Sequence, residues 1–196
     1  MGTASITSRL QPWLQRWSVH DLAHAERWLA NMFVKTCDAH EFLVHAGDHS
    51  DVLYLLDSGL VRLFYTTPDG KERNKAFYTG GDVTGPVSAA MTAMPAPFSI
   101  QCLEPSELIG FHFNDLRGAA SNNTELASLY RDLLAEAFIR NERREALLLT
   151  RNAEQRYRWL LEHESELLER VPQFHIASYL GVDAVSLSRL KSKCSS

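Results

Sequence analysis

The chain has 196 residues, 45% hydrophobic and 22% charged, with a formal net charge of −4. That is ordinary globular composition, and it excludes a disordered acidic chain, a polybasic tail and a collagen-like repeat. No window approaches the ~20 uncharged apolar residues of a membrane helix.

Residues 1–9 are small and polar and lead into Pro12 and Trp13, without the basic start and apolar core of a secretory signal. The expected location is therefore the cytoplasm. Cys37, Cys102 and Cys194 are widely spaced, which predicts two packed thiols and one tail thiol rather than a disulfide frame or a closed metal site.

Residues 18–34 read as helical, because Leu22, Ala25, Trp28, Leu29 and Met32 recur at three- and four-residue spacing. From Phe42 the period changes. Residues 42–44, 52–56, 60–65, 73–78, 98–103 and 108–113 are short runs rich in β-branched and aromatic residues. Between them lie turn-formers such as Ala46-Gly47-Asp48, Ser58-Gly59 and Gly80-Gly81-Asp82. This spacing predicts an antiparallel sandwich or barrel. Thr67-Pro68-Asp69-Gly70 is the strongest hairpin signal.

After Asn114 the pattern turns helical. Asn122 with Glu125 reads as a capping box, and the absence of Gly and Pro from Thr124 to Arg170 lets the first helix run to about Thr150. Leu126, Tyr130, Leu133, Ala137 and Leu148 form its apolar stripe. Such a stripe packs either on a partner or back on the chain's own sheet. Asn152 with Gln155 predicts a second cap, followed by a helix lined by Tyr157, Leu160, Leu161, Leu167 and Leu168.

Residues 172–193 have the grammar of a helix-turn-helix. Pro172 suits a first helical position, Gly181 the left-handed residue that ends that helix, and Asp183 the cap of the next. Ala177 is small where the second helix crosses, and Ile176, Leu180, Val182, Leu187 and Leu190 supply a small core. In such a motif the second helix reads the major groove. Arg189 suits bidentate contact to guanine, while Ser186 and Ser188 suit phosphates or bases. Lys191 and Lys193 supply salt-sensitive phosphate attraction. Ala184 and Val185 offer apolar contact only, so direct readout should be narrow.

The order of these parts, with the stretches Phe42–Asp48 and Leu53–Leu63, Gly81-Asp82 and the segment from Arg156 to Arg189, resembles the Crp/Fnr superfamily of bacterial transcription regulators. The resemblance implies an α+β protein: an antiparallel jelly-roll of cyclic-nucleotide-binding type, then a long dimerisation helix and a small all-α helix-turn-helix. On that plan residues 1–121 form the N-terminal helix and roll, 122–150 the dimerisation helix, and 151–196 the DNA-binding end. The implied partners are double-stranded DNA, a second copy of the chain and an unidentified small-molecule effector, with no membrane.

Two departures from the family pattern stand out. Where cyclic-nucleotide-binding members hold the ribose with a Gly-Glu pair, this chain has Gly85-Pro86, and from Ala76 to Leu116 there is no Lys or Arg to pair with a phosphate. Cyclic AMP is therefore not expected to bind in the usual way. The effector-pocket candidates are Gly85, Pro86, Val87, Ser88, Phe98 and Ser99, with Arg140, Asn141 and Arg144 of the long helix closing the site. Met91, Met94, Pro95, Pro97 and Phe98 in that segment predict a roll filled by its own side chains. The second departure is at the end, where only six residues follow Leu190 and no β-hairpin wing is expected.

His40, His45 and His49 invite a cupin-like metal reading, but they do not pair on a single element, and they read as surface or loop histidines. Gly80-Gly81-Asp82 lacks the ending of a phosphate loop, and no nucleophile–base arrangement is legible, so no catalytic residue, metal or cofactor is assigned. The leading reading is a homodimeric DNA-binding transcription regulator. The alternatives are a regulator responsive to a cyclic nucleotide or other small ligand through an altered pocket, and a dimeric interaction module that does not bind DNA.

Overall fold

The computed structural model describes residues 3–194. Its strands are β1 (Phe33–Cys37), β2 (Phe42–Val44), β3 (Val52–Ser58), β4 (Leu60–Thr66), β5 (Glu72–Thr79), β6 (Val83–Thr84), β7 (Ser99–Cys102) and β8 (Ser106–His112). They form two four-stranded sheets, ordered β1-β8-β3-β6 and β2-β7-β4-β5. The pairings resolved in register are antiparallel, with Phe33 opposite Gly110, Leu53 opposite Phe111 and Tyr54 opposite Thr84. This is the antiparallel sandwich expected from the strand spacing, in the jelly-roll form that the resemblance implies.

Both faces of the first sheet are covered. Leu53, Leu55, Ile109 and Phe111 point one way, into a core with Leu10, Trp13, Leu14, Trp28, Phe113 and Leu116. Tyr54, Leu56 and Leu108 alternate to the other face, meeting Val61, Leu63, Ile100 and Cys102 inside the roll. Double coverage explains why β3 and β8 read as nearly continuous apolar runs rather than as strict alternation. At the β3–β4 turn Gly59 has φ +103°, and the space beside it is filled by Ser106. The Thr67–Gly70 turn joins β4 to β5, closed by Gly70 N–H donating to the Thr67 carbonyl at 2.8 Å.

The N-terminal region differs from expectation. Residues 18–34 are not one helix. Helix α1 (Thr3–Arg16) precedes them, Ser18 and His24 adopt left-handed φ of 55° and 65°, and only α2 (Glu26–Ala30) is helical before β1 begins. Left-handed non-glycine residues interrupt a helix at the backbone, whatever the apolar spacing. Ala25, Trp28 and Met32 are nevertheless buried. The periodicity marked the core correctly and the conformation wrongly. In α1, Ile6, Leu10, Trp13 and Leu14 form the buried stripe, and Pro12 is accommodated inside the helix.

Beyond the roll run α3 (Val87–Thr92), α4 (Phe113–Ala120), α5 (Thr124–Thr150), α6 (Ala153–His163), α7 (Leu167–Arg170), α8 (Gln173–Leu180) and α9 (Ala184–Cys194). The cap of α5 is Asn123, whose side chain accepts from Leu126 N–H at 3.0 Å, rather than Asn122. Glu125, expected to complete a capping box, instead accepts from the His20 and Asp21 N–H groups. The Asn152–Gln155 box at α6 forms in full. Leu126 and Leu129 are fully buried in the core of the first unit, with Tyr130, Leu133 and Leu134 beside them. The first part of the α5 stripe thus folds back on its own domain, and the exposed apolar residues lie further on, at Phe138, Ile139, Leu148 and Leu149.

The chain divides into two units. The first runs to Leu63 and resumes at Phe77–Glu136. The second joins Phe64–Ala76, the turn end of the β4–β5 hairpin, to the residues from Ala137 onward. Cys37 and Cys102 are buried and Cys194 is partly exposed. Burial pushes the Cys37 thiol up to about 12.

Candidate nucleic-acid interface and sensor roll

Helix α8 begins one residue later than expected. Pro172 sits at the cap with an extended ψ of 140°, and its carbonyl accepts from His175 and Ile176 N–H. Gly181, with φ 66°, ends α8, and Val182 N–H turns back to the Ala177 carbonyl at 3.0 Å. Asp183 accepts from Ser186 N–H at 2.7 Å, which caps α9 and holds the Asp183 carboxyl below the usual carboxylate range. Ile176, Ala177, Leu180 and Leu187 are buried between the two helices, with Val182 and Leu190 half-buried at the rim. The helix pair is a formed helix-turn-helix with its own small core.

On α9, Ser188 and Arg189 are exposed, and Val185 stands 62% exposed beside them. Ser186 is half-buried and takes part in the Asp183 cap, so its hydroxyl is less available than expected. Lys191 is half-buried. Lys193 is exposed but paired with Glu154 at 2.5 Å, and Glu154 also takes Arg158 at 2.7 Å. Sequence reasoning missed that pairing, because nothing in the local spacing brings α6 to the end of α9.

In the roll, Gly85 and Pro86 are buried and lead into α3. Val87 N–H is taken by the Gly85 carbonyl and Ala90 N–H by that of Pro86. A side chain at Gly85 would collide with Leu53 Cδ2 at 2.4 Å. Val87 is half-buried and Ser88 exposed. Phe98 is buried with Ala89 and Ala96 among the inward-facing residues of the roll, while Ser99 Oγ accepts from Ala46 N–H at 3.0 Å. Of the residues expected to fill the roll only Phe98 does so, with Ala89 and Ala96; Met91, Met94, Pro95 and Pro97 are exposed, because the end of α3 and the segment after it run over the surface.

One buried cation of the roll was not expected from the sequence. Arg62 on β4 is 4% exposed and donates through Nε and Nη2 to Gln101 Oε1 at 2.9 and 2.6 Å. Its position before Ala76 put it outside the cation-free stretch, and the sequence does not show that its face of β4 is covered. Of the histidines, His40 adopts a positive φ of 71° and His45 stacks on Phe42. No group of three or more metal-ligating side chains occurs among the described residues.

Arg140, Asn141 and Arg144 lie on the α5 segment that belongs to the second unit. Asn141 is exposed. Arg144 is engaged within that unit: its guanidinium lies 4.0 Å over the Tyr179 ring and donates to the Tyr179 carbonyl. Burial lowers the Arg144 pKa. Tyr179 OH donates in turn to Glu164 at 2.9 Å. Arg140 is half-buried and acts electrostatically on Glu164 and Tyr179.

Residues 34–123 match the cyclic nucleotide-binding domain family. The anaerobic regulatory protein of Haemophilus influenzae is 26% identical over 162 residues, covering 76% of this chain and 62% of its own length. The fumarate and nitrate reduction regulatory protein of Vibrio cholerae is 26% identical over 159 residues, covering 76% and 63%. The chain is thus similar to these regulatory proteins over about three quarters of its length. The chain spans less than two thirds of the length of these curated relatives. Its fold is shared with FixK2 from Bradyrhizobium japonicum, at TM-score 0.72 and 20% identity over 83% of each chain. It is also shared with the c-di-GMP responsive global regulator CLP of Xanthomonas campestris, at TM-score 0.71 and 17% identity over 89% of this chain and 92% of that one. Among the described residues no helix is long and apolar enough to cross a membrane.

Proposed function

We propose that this chain is a DNA-binding transcription regulator that works in the cytoplasm as a homodimer. The observation that carries the reading is the helix-turn-helix itself: a capped α9 on a closed core, presenting Ser188 and Arg189 to solvent beside the apolar Val185. Arg189 is assigned the base contact, Ser188 a phosphate or base contact, and Lys191 the electrostatic attraction. Two copies pair through the exposed apolar residues of the distal part of α5, Phe138, Ile139 and Leu149, which places two recognition helices for a twofold-related site. The roll acts as the sensor. An input there shifts the population of α5 arrangements, and so the spacing of the recognition helices.

Cyclic AMP is not the input on this reading, because Pro86 offers neither carboxylate nor N–H and Phe98 with Ala89 and Ala96 lines the space beside α3. Calorimetry should show no micromolar binding of cyclic AMP or cyclic GMP. The direct test is recovery of genomic DNA fragments by the purified protein, wild type against Arg189→Ala, at two salt concentrations. Enrichment of a shared, roughly palindromic site that Arg189→Ala loses is the expected result. No enrichment over the variant at either salt would overturn sequence-specific binding by the unliganded protein and favour the interaction module.

A further inference from the structure

The turn end of the β4–β5 hairpin is bound to the first helix of the helix-turn-helix. Asn74, 4% exposed, makes most of the contact: its backbone N–H donates to Ser178 Oγ at 3.0 Å, and Nδ2 donates to the His175 carbonyl at 3.0 Å. The same Nδ2 lies 3.2 Å from His175 Nδ1. With Nδ2 a donor to both, His175 Nδ1 is the acceptor. Ser178 Oγ donates onward to the Glu72 carbonyl at 3.0 Å, so one hydroxyl bridges two points of the hairpin. Residues more than a hundred positions apart are thus joined by hydrogen bonds from both backbone and side chain.

This junction is not fully satisfied. Arg144 Nη2 reaches the Asn74 carbonyl at 3.5 Å and also the Tyr179 carbonyl. Its Nε and Nη1 are buried with no hydrogen-bond partner. A buried donor without a partner costs the desolvation that water would otherwise offset. Good hydrogen bonds on Asn74 and Ser178, set against orphaned donors on a desolvated cation, make a closed state that gains hydration on opening. Strand β4, which carries Val61 and Leu63, leads into this turn, and Asn74 itself lies on β5.

We propose that the β4–β5 turn is a latch on α8: closed, it restrains the helix-turn-helix, and it opens while the core of the roll stays folded. Its effect on DNA rests on the DNA-binding reading, but the latch itself does not. The experiment uses the full chain and two variants remote from the exposed face of α9, Asn74→Ala and Ser178→Ala. Amide hydrogen exchange is the first measurement. Each variant should speed exchange across residues 72–76 and α8 by about tenfold, the worth of one buried hydrogen bond, with β3 and β8 unchanged. Unchanged exchange at α8, or a uniform rise that includes β3 and β8, overturns the latch. Binding to sheared genomic DNA is the second. Both variants should bind several-fold more tightly than wild type, whereas a merely structural contact predicts weaker binding, and equal or weaker binding overturns the restraint. If neither wild type nor variant binds DNA while α8 exchange rises selectively, the DNA-binding reading fails and the latch stands.

Discussion

A methyl group on Gly59 would have to occupy space already held by Ser106, with Oγ 2.1 Å and the backbone Cα 2.8 Å from the ideal Cβ position. Neither the backbone of β8 nor a φ of +103° tolerates that addition, so Gly59→Ala should cost at least about 3 kcal/mol in urea denaturation. Gly118, inside α4 with open space around its Cα, predicts the opposite sign: Gly118→Ala should stabilise by about 0.5–1 kcal/mol through helix propensity. Asp183 gives a pH-dependent prediction. Its carboxyl is held below its ordinary value by the Ser186 N–H, so the cap contributes stability above the ordinary carboxylate pKa and loses it as pH falls through the lowered folded value. Exchange of the Ser186 amide should accelerate in acid, and Asp183→Asn should remove that dependence.

Helix α5 shows what one apolar stripe can hide. Its sequence offers Leu126, Tyr130, Leu133, Ala137 and Leu148 as one continuous face, yet the first three serve the core of the first unit and the exposed apolar surface starts at Phe138. Periodicity reports that a face is buried, not by what. Because Phe138 is 62% exposed, Phe138→Glu should leave the monomer fold intact, and on the proposed homodimer it should shift the protein toward monomer in sedimentation equilibrium, with a lower, concentration-independent melting temperature. The strands were largely legible, since β-branched and aromatic runs bounded by Gly and Pro specify both element and turn. Strand β1, with Lys35 and Thr36 between its apolar residues, carries a weaker signal and merged with the apolar spacing before it. Helices α8 and α9 were legible almost residue by residue, because Gly181 and Asp183 encode the turn locally.

Across the whole molecule, and on the proposed DNA-binding reading, charge placement decides which cations remain for phosphate. Glu154 binds both Lys193 and Arg158, and those partners lower its carboxyl pKa. Glu154→Gln should release Lys193 and steepen the dependence of log affinity on log salt by about one unit, the signature of one added phosphate contact. An unchanged slope would place Lys193 away from the DNA. Such pairings, like Arg62 with Gln101 and Asn74 with His175, join residues far apart in the chain and leave no trace in local pattern.

The grouping of Phe64–Ala76 with the C-terminal helices also governs how the protein is made. Asn74 leaves the ribosome well before its partner Ser178, 104 residues later. At ordinary elongation rates that interval is about 5–20 s, long compared with the folding of a small β domain. The roll can therefore form while the hairpin turn still exposes Asn74, and the contact with α8 closes only near the end of synthesis. A fragment beginning at Ala137 would lack half of that contact and should be less stable than the same helices in the full chain.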